Sequence, residues 1–379
     1  MKRPKSLFGQ SIIYGTGQIF SRLFSFLMLP LLTDILTPTE YGQWEVLVLF
    51  YSVLMAISQL GLNNSLFRFY ILSEKKDHDE IFFTALISSA VWSAILVAFC
   101  WYMRYHLSGF LLGSTQFNNI LPLAALVGIT DGLFITATLI YRIEDRALKY
   151  TIYSIIHTAG GFFLAMFFLI YLDMGLVGIF YAFIIANFIV LIPVLFEFTL
   201  RMSIRFNMLI LYDMLRYGLP FIPVLISTLI FSLGDRWLIR MMMGSEETGY
   251  YGAGYKLSSI ILLAVTAFRF AWSPRLFVLY KEGSLKQSIT TLYRRFGAFL
   301  CFAIIFVVTY NRELFSFVID KGFMAGLWVT PLIGIAYFFD GLTLLAESGI
   351  YTERKTAVLP FITFGGAFMN IMLNIILIP

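Results

Sequence analysis

Eleven apolar stretches, each about the length needed to cross a bilayer, run through this chain with only short connections between them. They lie at roughly residues 9–32, 44–67, 81–103, 120–141, 151–171, 176–197, 217–240, 250–272, 292–310, 324–346 and 356–379. A helical span takes about 20 apolar residues, so the pattern predicts an all-α polytopic membrane protein. No segment is long enough for a soluble domain. Composition agrees: 59% of residues are hydrophobic and 13% are charged, where a soluble domain carries about 25% charged residues.

The net charge of +5 sits in the connections, so it reports topology rather than a nucleic-acid footprint. With Lys2, Arg3 and Lys5 in the cytoplasm, the arginines and lysines of alternate loops fall on the same side: Arg68, Lys75 and Lys76; Arg142, Arg146 and Lys149; Arg201, Arg205 and Arg216. The basic start resembles a signal peptide, but the apolar run continues to Leu32 without a small-residue cleavage site, which predicts a retained first helix. Cys100 and Cys301 both fall in apolar stretches and give neither metal-ligand spacing nor a disulfide framework.

The second half repeats the first. Tyr41-Gly42 aligns with Tyr251-Gly252, Leu66-Phe67 with Leu276-Phe277, Pro122-Leu123 with Pro331-Leu332, and Glu144 with Glu353. Asp131-Gly132-Leu133 recurs as Asp340-Gly341-Leu342, at the same place after the proline. An even number of helices per repeat gives both halves the same orientation, so the expectation is two six-helix lobes as parallel repeats. The boundaries expected are 1–212 for helices 1–6 and 213–379 for helices 7–11. The eleventh stretch corresponds to the fifth, so the sequence predicts that a twelfth helix is missing after Pro379.

Two segments, TDILTPTEYGQW (33–44) and GSEETGYYGAGYKL (244–257), resemble the polysaccharide transporters, or Wzx-type lipid-linked oligosaccharide flippases, of the multidrug/oligosaccharidyl-lipid/polysaccharide exporter superfamily. The family shows an arginine-bearing first helix leading to a Leu-x-Pro-x-Glu-Tyr-Gly loop, here Arg22 and Leu36 to Gly42. It also shows an aspartate in helix seven, here Asp235, before a Gly-x-Tyr-x-x-Ala-x-x-Leu start to helix eight, which Gly249 to Leu257 match loosely. The resemblance implies a multi-pass protein of the cytoplasmic (inner) membrane with two six-helix lobes around a central cavity. It implies a lipid-linked oligosaccharide substrate and membrane lipid as partners, leaves a polysaccharide polymerase partner open, and implies a proton or sodium gradient in place of any cofactor.

Several polar side chains fall inside the spans. Ser11, Gln18, Arg22 and Ser25 recur at helical spacing and form one stripe on the first helix. Such stripes face the protein interior or a wet cavity, not lipid. One reading makes Arg22, with Gln18 and Ser25, a cationic lining for a diphosphate; the other makes Arg22 half of an internal ion pair, for example with Asp131. Asp131 and Asp340 read as ion-coupling carboxylates or as helix-packing groups. Lys256 adds charge to the cavity or snorkels to the interface. Asp235 shares a face with Thr228 and Ser232 and reads as a cavity residue facing Arg22. Arg236, aligned with Arg240, reads as a cavity residue or as a marker of the outer interface. His157 reads as an interior histidine or a proton relay, and Arg269 and Glu347 as interfacial charges. Gln59, Asn63 and Asn64 read as sugar contacts or as a loop turn. The glycine pairs 160–161 and 365–366 read as close helix packing.

Nothing points to catalysis or a bound metal: there is no phosphate-binding glycine loop, no metal cluster and no large outer loop. Asp34 and Glu40 are explained by helix capping. The function expected is translocation of an undecaprenyl-diphosphate type oligosaccharide by alternating access. The rivals are a drug/cation antiporter of the same superfamily, disfavoured by the cationic Arg22, Arg236 and Lys256, and a membrane polymerase or glycosyltransferase, disfavoured by the short loops.

Overall fold

The computed structural model describes residues 7–352 and 358–378, so Glu353 and Pro379 lie outside the described residues, as do the side chains of Ser11 and Gln18. Every regular element among the described residues is helical: α1 (Leu7–Ile35), α2 (Pro38–Ser58), α3 (Leu62–Leu72), α4 (His78–Tyr102), α5 (Arg104–Leu112), α6 (Ile120–Ile143), α7 (Ala147–Ile170), α8 (Gly175–Arg201), α9 (Met208–Gly218), α10 (Phe221–Met243), α11 (Ser245–Lys281), α12 (Leu285–Thr309), α13 (Asn311–Val318), α14 (Val329–Thr352) and α15 (Leu359–Leu377), with short 3-10 turns between some of them. Among the described residues, ten helices are long and apolar enough to cross a membrane, and Phe364–Leu377 is a shorter apolar helix where the eleventh span is expected. The connections contain more structure than the hydropathy reading implies. α5, α9 and α13 are helices too short to span.

The second predicted span is broken. Leu60 and Gly61 both take positive φ, 51° and 68°, and separate α2 from α3. Gly61 belongs there because L side chains rarely adopt that backbone. A Cβ at Gly61 would also lie only 2.0 Å from the carbonyl oxygen of Gly218 at the end of α9. The polar residues at this break serve it: Asn63 Nδ2 donates to Gln59 Oε1, and Thr136 Oγ1 on α6 donates to Asn63 Oδ1 at 2.9 Å.

The chain forms two compact units, residues 1–42 with 246–362 and residues 43–245 with 363–379. This division differs from the expected 1–212 and 213–379: α1 belongs with α11 to α14, and α10 belongs with α2 to α9. The contacts inside each unit give the reason. In the first, Tyr41 packs edge-on against Phe323 at 5.6 Å, and a Cβ at Gly249 would strike the Pro38 carbonyl oxygen at 1.9 Å. In the second, Trp237 of α10 packs on Phe110 at 5.3 Å, and the Arg240 guanidinium fills the space beside Gly113.

The loop that carries the family resemblance is a helix start. Thr37 N and Oγ1 each donate to Glu40 Oε2 at 2.9 Å, and Glu40 N donates back to Thr37 Oγ1 at 3.3 Å. This is a reciprocal capping box, with Pro38 at the first helical position where its missing N–H costs nothing.

Of the glycine pairs expected to pack closely, 160–161 faces α8 and 365–366 does not meet a close neighbour. Gly365 has open space around it, Gly366 and Gly160 make only ordinary contacts, and Gly161 alone is tight, against Phe183. A much closer helix approach in the second unit is at Gly128, where a Cβ would meet the Tyr51 carbonyl oxygen at 2.2 Å.

Candidate functional site

Among the described residues, the candidate site residues fall into three polar clusters within the spans, and each belongs to a single unit. In the first unit, Lys256 Nζ on α11 donates to Ser25 Oγ on α1 at 2.8 Å. Arg22 is about one helical turn away on α1 and is exposed. Asp340 on α14 and Arg269 on α11 lie within electrostatic reach of Arg22, as does the Tyr337 hydroxyl. Arg269 Nη2 donates to Asp340 Oδ2 at 3.4 Å. Arg269 is thus part of this set and not a bare interfacial charge. Among the described residues Arg22 forms no ion pair. The stripe from Lys256 to Arg269 covers about 20 Å at helical rise and, among the described residues, brings Arg22, Lys256 and Arg269 to the side of Asp340. An arginine exposed near the midpoint of a span cannot face hydrocarbon cheaply, because that placement costs roughly 2.5–3.5 kcal/mol. Its exposure therefore points to water or to a charged ligand.

The second cluster corrects the expectation for α10. Asp235 and Arg236 are buried, at 8% and 4% exposure, while Thr228 and Ser232 on the same helix are not buried and donate to their own helix's carbonyls. Arg236 Nε donates to Glu45 Oε2 at 2.5 Å, and its Nη1 donates to Asp235 Oδ1 at 2.9 Å and to Ser232 O at 3.1 Å. The physical reason is the buried Glu45 of α2, which draws the guanidinium into the packing face. Asp235 and Arg236 are therefore a packed ion cluster and not the cavity lining or interface marker expected.

Clusters one and two are repeat-related. Arg22 aligns with Ser232, so Ser25 aligns with Asp235, and Lys256 aligns with Val46, next to Glu45. Helix pair α1–α11 and helix pair α10–α2 each carry one polar tie at corresponding positions. The first includes the lysine–serine bond, and the second is an ion cluster.

The third cluster surrounds Asp131 on α6. Asn187 Nδ2 on α8 donates to Asp131 Oδ1 at 2.7 Å and to Thr130 Oγ1 at 2.8 Å. His157 Nε2 on α7 lies 3.3 Å from Asp131 Oδ1 and 2.5 Å from Asn187 Oδ1, and its ring stacks on Phe134 at 4.4 Å. Asp131 thus takes its partners from α7 and α8. Its repeat counterpart Asp340 faces an arginine instead, so the two aspartates are equivalent in sequence and different in surroundings.

The family described as polysaccharide biosynthesis protein matches residues 8–279. The chain belongs to that family. A protein of the Lsg locus of Haemophilus influenzae is 21% identical over 339 residues, which cover 88% of this chain and 79% of that protein. Among solved structures, the Lipid II flippase MurJ in an inward closed conformation aligns with a TM-score of 0.78 at 11% identity, over 96% of this chain and 81% of that one. The MATE multidrug transporter DinF-BH aligns with a TM-score of 0.68 at 16% identity, over 96% and 86%. An inward-facing multidrug resistance MATE family transporter of the MOP superfamily aligns with a TM-score of 0.66 at 14% identity, over 97% and 98%. This member of the polysaccharide biosynthesis family is thus a multi-pass membrane protein with the fold shared by MATE transporters and MurJ.

Arg22, Ser25, Lys256, Asp131 and Asp340 are among the sequence candidates, whereas Glu45 and Asn187 are not. Both are polar residues in apolar stretches, which is the available signal, but Glu45 sits at the edge of its stretch and reads as a boundary residue.

Proposed function

We propose that this protein translocates an undecaprenyl-diphosphate type oligosaccharide across the cytoplasmic membrane by alternating access. The observation that carries the reading is the stripe of Arg22, Lys256 and Arg269 beside Asp340, with Arg22 exposed and, among the described residues, in no ion pair. A diphosphate brings compensating negative charge, and the Arg22 fork matches two phosphate oxygens. Ser25 holds Lys256 toward the same stripe. The isoprenoid tail needs no protein site, because it stays in lipid. Membership in a polysaccharide biosynthesis family supports a sugar-bearing cargo over a drug cation, which this excess of positive charge would repel.

Asp131 is the ion-coupling group in this reading. It lies against an imidazole and a carboxamide, so protonation of one carboxylate changes the hydrogen bonding of three helices together. A proton gradient fits the pair of Asp131 with an imidazole, since both groups can carry a proton. Gene deletion tests the proposal. The lipid-linked sugar should then accumulate on the cytoplasmic leaflet, and restoring the gene should clear it. Accumulation on the outer leaflet would instead indicate a role after translocation.

A further inference from the structure

The second unit contains a recess of about 550 Å³ between α3 and α9, which the transport reading does not use. Arg68, Phe69 and Leu72 line it from α3, and Asp213, Arg216 and Tyr217 line it from α9. Its walls are fixed. Ser65 Oγ donates to the Met214 carbonyl at 2.6 Å, and the Gly61 and Gly218 backbones touch where α3 begins and α9 ends. The α9 start is held too, since the Asn207 side chain caps the N–H groups of Leu209 and Ile210. The Arg68 guanidinium lies 4.5 Å over the Tyr217 ring. Among the described residues, Arg68, Arg216 and Asp213 form no salt bridge.

The position of the recess narrows the occupant. It opens where the span Pro38–Leu72 ends and just before the span Phe221–Met243 begins, so it lies at a membrane–water boundary. Leu72 in its wall is exposed, and the same two helices carry further exposed apolar side chains, Phe67 and Ile71 on α3 and Leu209 and Tyr212 on α9. Two arginines and one aspartate leave a single positive charge, which matches one phosphodiester. We propose that this recess binds the headgroup of an anionic glycerophospholipid of the phosphatidylglycerol type. Arg68 and Arg216 take the phosphate, Asp213 accepts from the headgroup hydroxyls, and the acyl chains lie on the apolar collar. Arginine suits this role through its fork and its stacking on Tyr217.

The test uses the full chain in phosphatidylcholine nanodiscs with phosphatidylglycerol as the minor lipid, and native mass spectrometry counts the phosphatidylglycerol retained. The double variant Arg68→Gln/Arg216→Gln should lose selective retention by roughly thirtyfold, about fivefold per interfacial arginine. The Arg68→Lys/Arg216→Lys variant should keep part of it. Both positions are exposed, and a thermal melt confirms that each variant is folded. The charge-matched control Arg312→Gln/Lys321→Gln should retain phosphatidylglycerol as the wild type does. Equal loss in that control would reduce the effect to net charge and overturn the site. Unchanged retention in the Arg68→Gln/Arg216→Gln variant would overturn it directly. Displacement of the lipid by inorganic phosphate at comparable concentration would overturn the lipid as the occupant.

Discussion

Arg236 on α10 and Glu45 on α2 form a buried ion pair, and Asp235 offers the same guanidinium a second carboxylate. One cation therefore neutralises two carboxylates only in part, and the three side chains do not contribute equally. Removing the arginine takes the shared cation from two buried carboxylates, whereas removing either carboxylate still leaves the arginine the other. Arg236→Ala should destabilise the protein by about 3–5 kcal/mol, the usual cost of breaking a buried pair. Glu45→Gln and Asp235→Asn should each cost clearly less. Thermal unfolding in one detergent checks the order, and an arginine variant no worse than the carboxylate variants would refute it.

Gly128 is a packing residue whose role depends on lacking a Cβ. An alanine there meets the backbone oxygen of Tyr51, which cannot swing away as a side chain would. Gly128→Ala should cost roughly 1–3 kcal/mol, as overpacking does. Gly365→Ala, with open space around it, should be close to neutral. The same unfolding measurement separates them.

The spans were legible because bilayer thickness imposes a length on each of them. The capping box was legible because Thr37 and Glu40 act within one turn. The assignment of α1 to the same unit as α11 was not legible, since it rests on contacts such as Lys256 with Ser25 that lie far apart in sequence. The break at Leu60 and Gly61 was legible only as one of two readings, because Gln59, Asn63 and Asn64 beside it suit a turn and a sugar contact equally well. The glycine pairs were an uneven guide, since Gly161 is tight against Phe183 and Gly365 has open space, whereas the single Gly128 faces a backbone oxygen. Asp131 was found through its repeat, but its partner Asn187 has no counterpart within the sequence to draw attention to it.

The geometry at Asp131 makes a prediction about energy coupling. Asp131→Asn removes the charge and the proton site while keeping a group able to accept from Asn187. In reconstituted vesicles, this variant should lose the response of transport to an imposed pH gradient and keep its thermal stability. Asn187→Leu should lose both, because it removes the bridge to Thr130 and Asp131 together. A pH-gradient response in Asp131→Asn equal to that of the wild type would remove Asp131 from the coupling role.

Arg22 and Lys256 carry the substrate proposal and should respond differently to substitution. Loss of a charge-assisted hydrogen bond is worth about 1.5–3 kcal/mol, or roughly ten- to a hundredfold in transport if it is made in the rate-limiting complex. Arg22→Ala should therefore abolish measurable export in a deletion strain, and Arg22→Lys should restore part of it by keeping the charge without the fork. Lys256→Gln should give an intermediate loss. Ser25→Ala should be milder still, since Ser25 only orients the ammonium group and Lys256 keeps its charge without it. Quantifying surface polysaccharide across the four variants, at matched protein levels, checks the order. Full export by Arg22→Ala would end the phosphate-holding role, whatever the others do.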